Sequence, residues 1–147
     1  MRLSVVVAVM LLTSLTTFAQ DNNKPVELVF YHVRAAEGEK LELPKELRPF
    51  QKKLQRTLKE KFTIIGKPKV LKITGSLVTA VDMPGGIGNY NAHYDGKSGR
   101  LTIKFARNKK KLGSVSTSKF PLVAVNDKLK LGDDQFILIV AKKKPKG

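Results

Sequence analysis

The sequence predicts an α+β fold, a mainly antiparallel β-sheet or sandwich with one amphipathic helix packed on one face. Three observations carry this expectation. Apolar residues recur at helical spacing in one place only, residues 45–61. Most of the remaining apolar residues alternate with a period of two or form short runs. The segments between them are of hairpin length and rich in glycine, asparagine and aspartate. With 147 residues and 41% hydrophobic content, a single globular domain is expected, placed at residues 26–141.

Residues 1–20 stand apart from that domain. Met1-Arg2 is a short basic start, residues 3–15 are almost unbroken apolar, and Thr16-Thr17-Phe18-Ala19 is small and polar in the manner of a cleavage region. This pattern predicts a cleavable secretory signal peptide, because a membrane-spanning helix requires about 18 or more apolar residues. Residues 21–25 read as a flexible lead-in and residues 142–147 as a basic tail.

Within the domain, residues 26–33 are dense in β-branched and aromatic side chains and form the first expected strand. Leu47, Phe50, Leu54 and Leu58 are spaced three, four and four apart, which places them on one helical face. Pro49 lacks an N–H, so the regular helix is expected to start near it rather than at Pro44. Further strands are expected at residues 62–65, 70–74 and 76–83, separated or bulged at Gly75. Gly85-Gly86-Ile87-Gly88 reads as a strand connection and not a phosphate loop, because no helical period and no Lys-Ser or Lys-Thr follows it.

Residues 95–99 are a hairpin signal ahead of residues 101–106, the cleanest alternating strand. Shorter strands are expected at 115–118, 120–125 and 128–131, with Asn126-Asp127 as a tight turn between the last two. Residues 136–141 are continuously apolar, as a central strand buried on both faces would be.

Charge is the dominant chemical feature. The formal net charge is +16, and loss of residues 1–20 removes Arg2 and no acid, leaving +15. Such a surplus favours anionic partners: an envelope polymer, a membrane surface or an acidic protein. For an exported chain, nucleic acid ranks lower. The candidate anion-binding residues form three groups: Arg107, Lys109, Lys110 and Lys111; Lys142, Lys143 and Lys144; and Lys52, Lys53 and Arg56 on the back of the helix. Neighbouring strands that end together would bring the first two groups to one rim.

Little in the sequence points to catalysis. There is no cysteine, hence no thiolate ligand, thiol nucleophile or disulfide. There is no G-x-S-x-G elbow, and His93 with Asp95 is the one imidazole–carboxylate grouping. Tyr90, His93, Tyr94 and Asp95 are expected to form a contact loop, and His32 to be a strand-face side chain. No cofactor, metal ligand or catalytic residue is predicted. The expected function is an exported, non-enzymatic binding or assembly module of a bacterial envelope. The alternatives are an accessory subunit docking through a sheet edge or helix face, and, more distantly, a small hydrolase using the His93 loop.

Overall fold

A computed structural model describes residues 25–143. The expected signal peptide, nearly all of the lead-in and Lys144 lie outside the described residues. The chain runs β1 (Val26–Ala36), a 3-10 turn (Lys45–Phe50) leading into helix α1 (Gln51–Gln55), β2 (Lys61–Ile64), β3 (Lys69–Ile73) and β4 (Leu77–Asp82). A short 3-10 turn (Pro84–Gly86) then precedes β5 (Asn89–Asp95), β6 (Arg100–Arg107), β7 (Lys110–Thr117), β8 (Leu122–Leu131) and β9 (Asp134–Lys143).

These strands make two antiparallel sheets. One has the order β2-β1-β9-β8, with β3 also on β1, and the other is the meander β4-β5-β6-β7. The long strand β1 divides one edge between two partners, since Val33–Ala36 pair with β2 and Val26–Phe30 with β3. The chain changes sheets at Gly75, where the backbone of the β5–β6 hairpin comes so close that a Cβ on Gly96 would lie 2.2 Å from the Gly75 carbonyl oxygen.

Strand alternation decides where the core sits. Leu28 and Phe30 of β1 and Phe136, Leu138 and Val140 of β9 point toward the meander and meet Tyr90, Ala92, Tyr94, Leu101, Ile103 and Phe105. Residues of opposite parity, Val29, Tyr31, Val33, Ile137, Ile139 and Ala141, face the other way and are covered by Leu47, Phe50 and Leu54. Each fully buried large apolar side chain stabilises by about 1.5–3 kcal/mol, so both faces of β9 contribute to the core. The expected two-sided burial of residues 136–141 is borne out.

The fold is mostly antiparallel β, and its helical part is smaller than α+β implies. The predicted helix over residues 45–61 is a six-residue 3-10 turn plus a five-residue α-helix. Pro49 sits inside the 3-10 turn, and regular α geometry begins only at Gln51, after the residue that cannot donate. At the other end Thr57 Oγ1 donates to the Leu54 carbonyl at 2.7 Å, and Leu58 takes a left-handed φ of 63°. Leu58 is therefore not on the apolar face. It is 87% exposed, because the chain must reverse there to enter β2.

Two further expectations are corrected. Asn126-Asp127 is not a turn between two strands but an irregularity within β8, whose register to β9 shifts between Val125 and Lys130. Its backbone is held by side chains: Asn126 Oδ1 accepts from Lys128 N at 2.9 Å, and Gln135 Nε2 donates to the carbonyls of Asn126 and Leu129 at 2.8 and 2.9 Å. Lys142 and Lys143, expected in a tail, belong to β9, where they pair with Leu28 and Glu27 of β1.

Candidate functional site

Aliphatic and aromatic residues that pin the helical segment to the sheet leave its polar side against the start of β8. Lys53 Nζ donates to the Pro121 carbonyl oxygen and ties α1 to the β7–β8 connection. Around this junction lie three open grooves, all lined by Pro121. The largest, about 670 Å³, has a floor of Tyr31, Pro49, Phe50, Phe120, Pro121 and Ala141, rimmed by Lys45, Glu46, Lys142 and Lys143. The second runs along the outer side of β8 past Leu122, Val123 and Val125, under Lys53, Arg56 and Lys119. The third lies along the helical segment itself, beside Arg48, Lys52 and Lys53.

Charge on this face is one-sided. Eight cations line the three grooves, Lys45, Arg48, Lys52, Lys53, Arg56, Lys119, Lys142 and Lys143, against the single carboxylate Glu46. Glu27 stands opposite Lys143 in the β1–β9 register, at the margin of this face. Among the described residues the salt bridges are Arg34–Asp134, Lys59–Glu37 and Lys61–Glu42, and none of them uses a groove cation. Lys142 shares the strand parity of Leu138 and Val140, and its Nζ turns toward the meander, 5.7 Å from the ring centroids of both Tyr94 and Phe120 and within reach of a cation–π contact, so that Lys143 is the β9 cation on the helix side of the groove.

Two of the three predicted basic groups thus meet: Lys52, Lys53 and Arg56 with Lys142 and Lys143. Lys144 lies outside the described residues. The third group does not join them. Arg107, Lys109, Lys110 and Lys111 form the β6–β7 hairpin, with Asn108 and Lys109 as its two left-handed turn residues. Lys142 reaches Tyr94, the partner of Leu101, at one end of β6, whereas Arg107 ends that strand six residues on, about 20 Å away along a strand. Arg107 is also committed, since its Nε donates to the Ile87 carbonyl at 2.8 Å and its Nη2 to the Lys128 carbonyl at 3.1 Å. The expected common rim with the strand ends is therefore not formed. Antiparallel pairing sends the ends of β6 and β9 to opposite poles. The signal missed was that Lys45, Arg48 and Lys119 join the helix group, which a single helical wheel does not show.

The predicted contact loop is a strand. Tyr90 and Tyr94 alternate inward on β5 and are buried, while His93 points outward. Period two splits the grouping across both faces of the sheet. Asp95 ends β5, and its carboxyl is held below the usual range chiefly by the Lys97 backbone N–H, which donates to Oδ1 at 3.0 Å, and by the Ser98 hydroxyl. That carboxylate organises a hairpin turn. His32 reaches between the sheets to the Tyr90 hydroxyl at 2.8 Å.

The chain also holds Ser116-Thr117-Ser118-Lys119, a serine followed three residues later by lysine. Ser116 lies on β7 and Lys119 beyond its end, and extended backbone does not stack the two side chains as a helix does. The exposed Ser116 hydroxyl instead bonds Arg100 at 3.2 Å and Thr102 at 3.1 Å. Among the described residues no three His, Asp or Glu side chains group closely enough to hold a metal ion, and no helix is long and apolar enough to cross a membrane. Comparisons with known protein families, curated proteins and solved structures found no match.

Proposed function

We propose that the chain is an exported, non-enzymatic binding module of a bacterial cell envelope, which holds an anionic polymer or acidic partner on the grooved basic face around Pro121. The observation that carries this reading is the meeting of Lys45, Lys52, Lys53 and Arg56 with Lys119, Lys142 and Lys143 from distant parts of the chain, against one carboxylate. Like charges so arranged cost folding energy through mutual repulsion, and an anionic ligand relieves that repulsion. Export rests on the pattern of residues 1–20.

The test separates this face from bulk charge. The purified protein is retained on isolated envelope fragments and released as salt rises from about 50 to about 500 mM, over which range screening shortens severalfold in reach. A triple variant, Lys52→Glu, Lys119→Glu and Lys143→Glu, is compared with Lys109→Glu, Lys110→Glu and Lys111→Glu, which changes net charge equally at the far pole. Loss of retention in the first alone supports the reading. Equal loss in both reduces the lysines to a solubility device. Retention that resists salt and both variants points instead to the docking subunit, held by apolar contact.

A further inference from the structure

We infer that the occupant of the largest groove is an extended polypeptide segment carrying acidic side chains around at least one bulky apolar anchor. This rests on the proposed binding face and narrows its partner class. The floor of the groove, Tyr31, Phe50, Phe120, Pro121 and Ala141, presents rings and methyl groups, while cations stand at the rim on Lys45 and Lys143. A ligand that satisfies both must pair apolar bulk with flanking negative charge, spaced a few ångströms apart along a chain. Alternating side chains of an extended peptide do this.

Acidic polysaccharide and lipid fit less well. Sugar hydroxyls need acceptors as well as donors, and in the largest groove the side-chain acceptors are Glu46 and the Tyr31 hydroxyl, set among rings and lysines. A bilayer surface calls for protruding apolar side chains gathered in a patch. Among the described residues the exposed large apolar side chains are Leu41, Leu58, Val70, Val78 and Val125; Leu41 and Leu58 share a shallow recess away from the Pro121 grooves, the three valines lie on β3, β4 and β8, and the largest groove is concave. Charge complementarity together with a recessed apolar floor therefore favours a protein partner with an acidic, apolar-anchored segment.

The experiment measures binding of the purified protein to four probes: an octapeptide alternating glutamate with leucine and phenylalanine, an octapeptide of equal charge with serine in place of the apolar residues, polygalacturonate, and phosphatidylglycerol vesicles. The anchored peptide is expected to bind about tenfold more tightly than the serine peptide, from partial burial of one large side chain. Ala141→Phe fills the floor without changing charge and is expected to abolish that difference while leaving the binding of the serine peptide unchanged. Glu46→Gln, at an exposed position, is expected to tighten both peptides about two- to fivefold at low salt.

Equal binding of both peptides, or an anchored-peptide affinity untouched by Ala141→Phe in a variant that melts like the parent, overturns the inference and leaves the basic face standing. Binding of polygalacturonate or vesicles more tightly than the anchored peptide does the same. Failure of every anionic probe at low salt removes both the inference and the reading beneath it.

Discussion

His32 of β1 and Tyr90 of β5 are hydrogen-bonded at 2.8 Å across the space between the two sheets, with the Phe136 ring 5.6 Å from the imidazole centroid. Burial, and then the charge of Lys69, lower the imidazole pKa below its ordinary value, and burial raises that of the tyrosine hydroxyl. Both groups are thus neutral at neutral pH, and the polar pair is compatible with an apolar interface only in that state.

A pH dependence follows. A histidine whose folded pKa is depressed binds its proton first in the unfolded chain, so stability is constant well above pH 6.5 and declines as pH falls below it. The decline levels off once pH passes the folded value. In urea titrations the parent is expected to lose stability relative to His32→Gln between about pH 7 and about pH 5, with little difference between the two slopes above about pH 7.5. Tyr90→Phe, which leaves the imidazole without its partner, is expected to cost about 1–2 kcal/mol at pH 8. A parent and a His32→Gln variant with parallel pH profiles would show that the imidazole does not titrate differently on folding.

Gln135 is buried in the core, and its amide supplies donors to the Asn126 and Leu129 carbonyls beside the irregularity in β8. Gln135→Leu keeps nearly the same volume but strands those carbonyls, for an expected loss of about 2–3 kcal/mol. Gln135→Glu is expected to cost at least as much, because a carboxylate has nothing to donate at pH 7. Denaturant midpoints check both, and unchanged midpoints would show that water or a shift of β8 replaces the amide.

Among the described residues three non-glycine residues hold left-handed backbone, Leu58, φ 63°, Asn108, φ 50°, and Lys109, φ 66°; asparagine tolerates that region, which leaves Leu58 and Lys109 as the strained pair. Leu58→Gly and Lys109→Gly are each expected to stabilise by about 0.5–1 kcal/mol, through release of strain that exceeds the entropy glycine adds to the unfolded chain. Lys109→Gly also puts a glycine directly after Asn108, and asparagine followed by glycine is the preferred pair for a two-residue hairpin. Thermal unfolding measures both. Because Lys109 lies away from the groove face, the second variant is expected to leave retention on envelope fragments unchanged.

Much of the strand arrangement could be read from the sequence, because period and turn chemistry are local. The hairpin ahead of Leu101 and the two-sided burial of Phe136 through Ala141 follow from residues within ten positions of each other. What was illegible depended on distance or direction. Leu58 satisfies a helical period that the chain abandons to reach β2. Asn126-Asp127 has the composition of a turn, but Gln135 supports it as a bulge from the neighbouring strand. The groove assembles cations from residues 45–56, 119 and 142–143, a conjunction fixed by the β1–β9 pairing and by Pro121 and not by any spacing. The Tyr90 to Asp95 grouping misled for the opposite reason, since neighbours along a strand face opposite ways.

The placement of β9 has a consequence for the order in which the molecule can be assembled. The meander β4-β5-β6-β7 joins consecutive strands, but the other sheet is threaded from both sides of it, and Tyr31 meets Ile139 across 108 residues. During synthesis on a ribosome β1 emerges long before its central neighbour β9. Phe30, Val33 and their companions then have no partner on that edge until residues 134–143 arrive, whereas the hairpins between can form as they appear. Such a chain has half a protein ready and no closed interior until its final strand is inserted. It would stay threadable for most of its synthesis, and prone to capture by chaperones over the same interval.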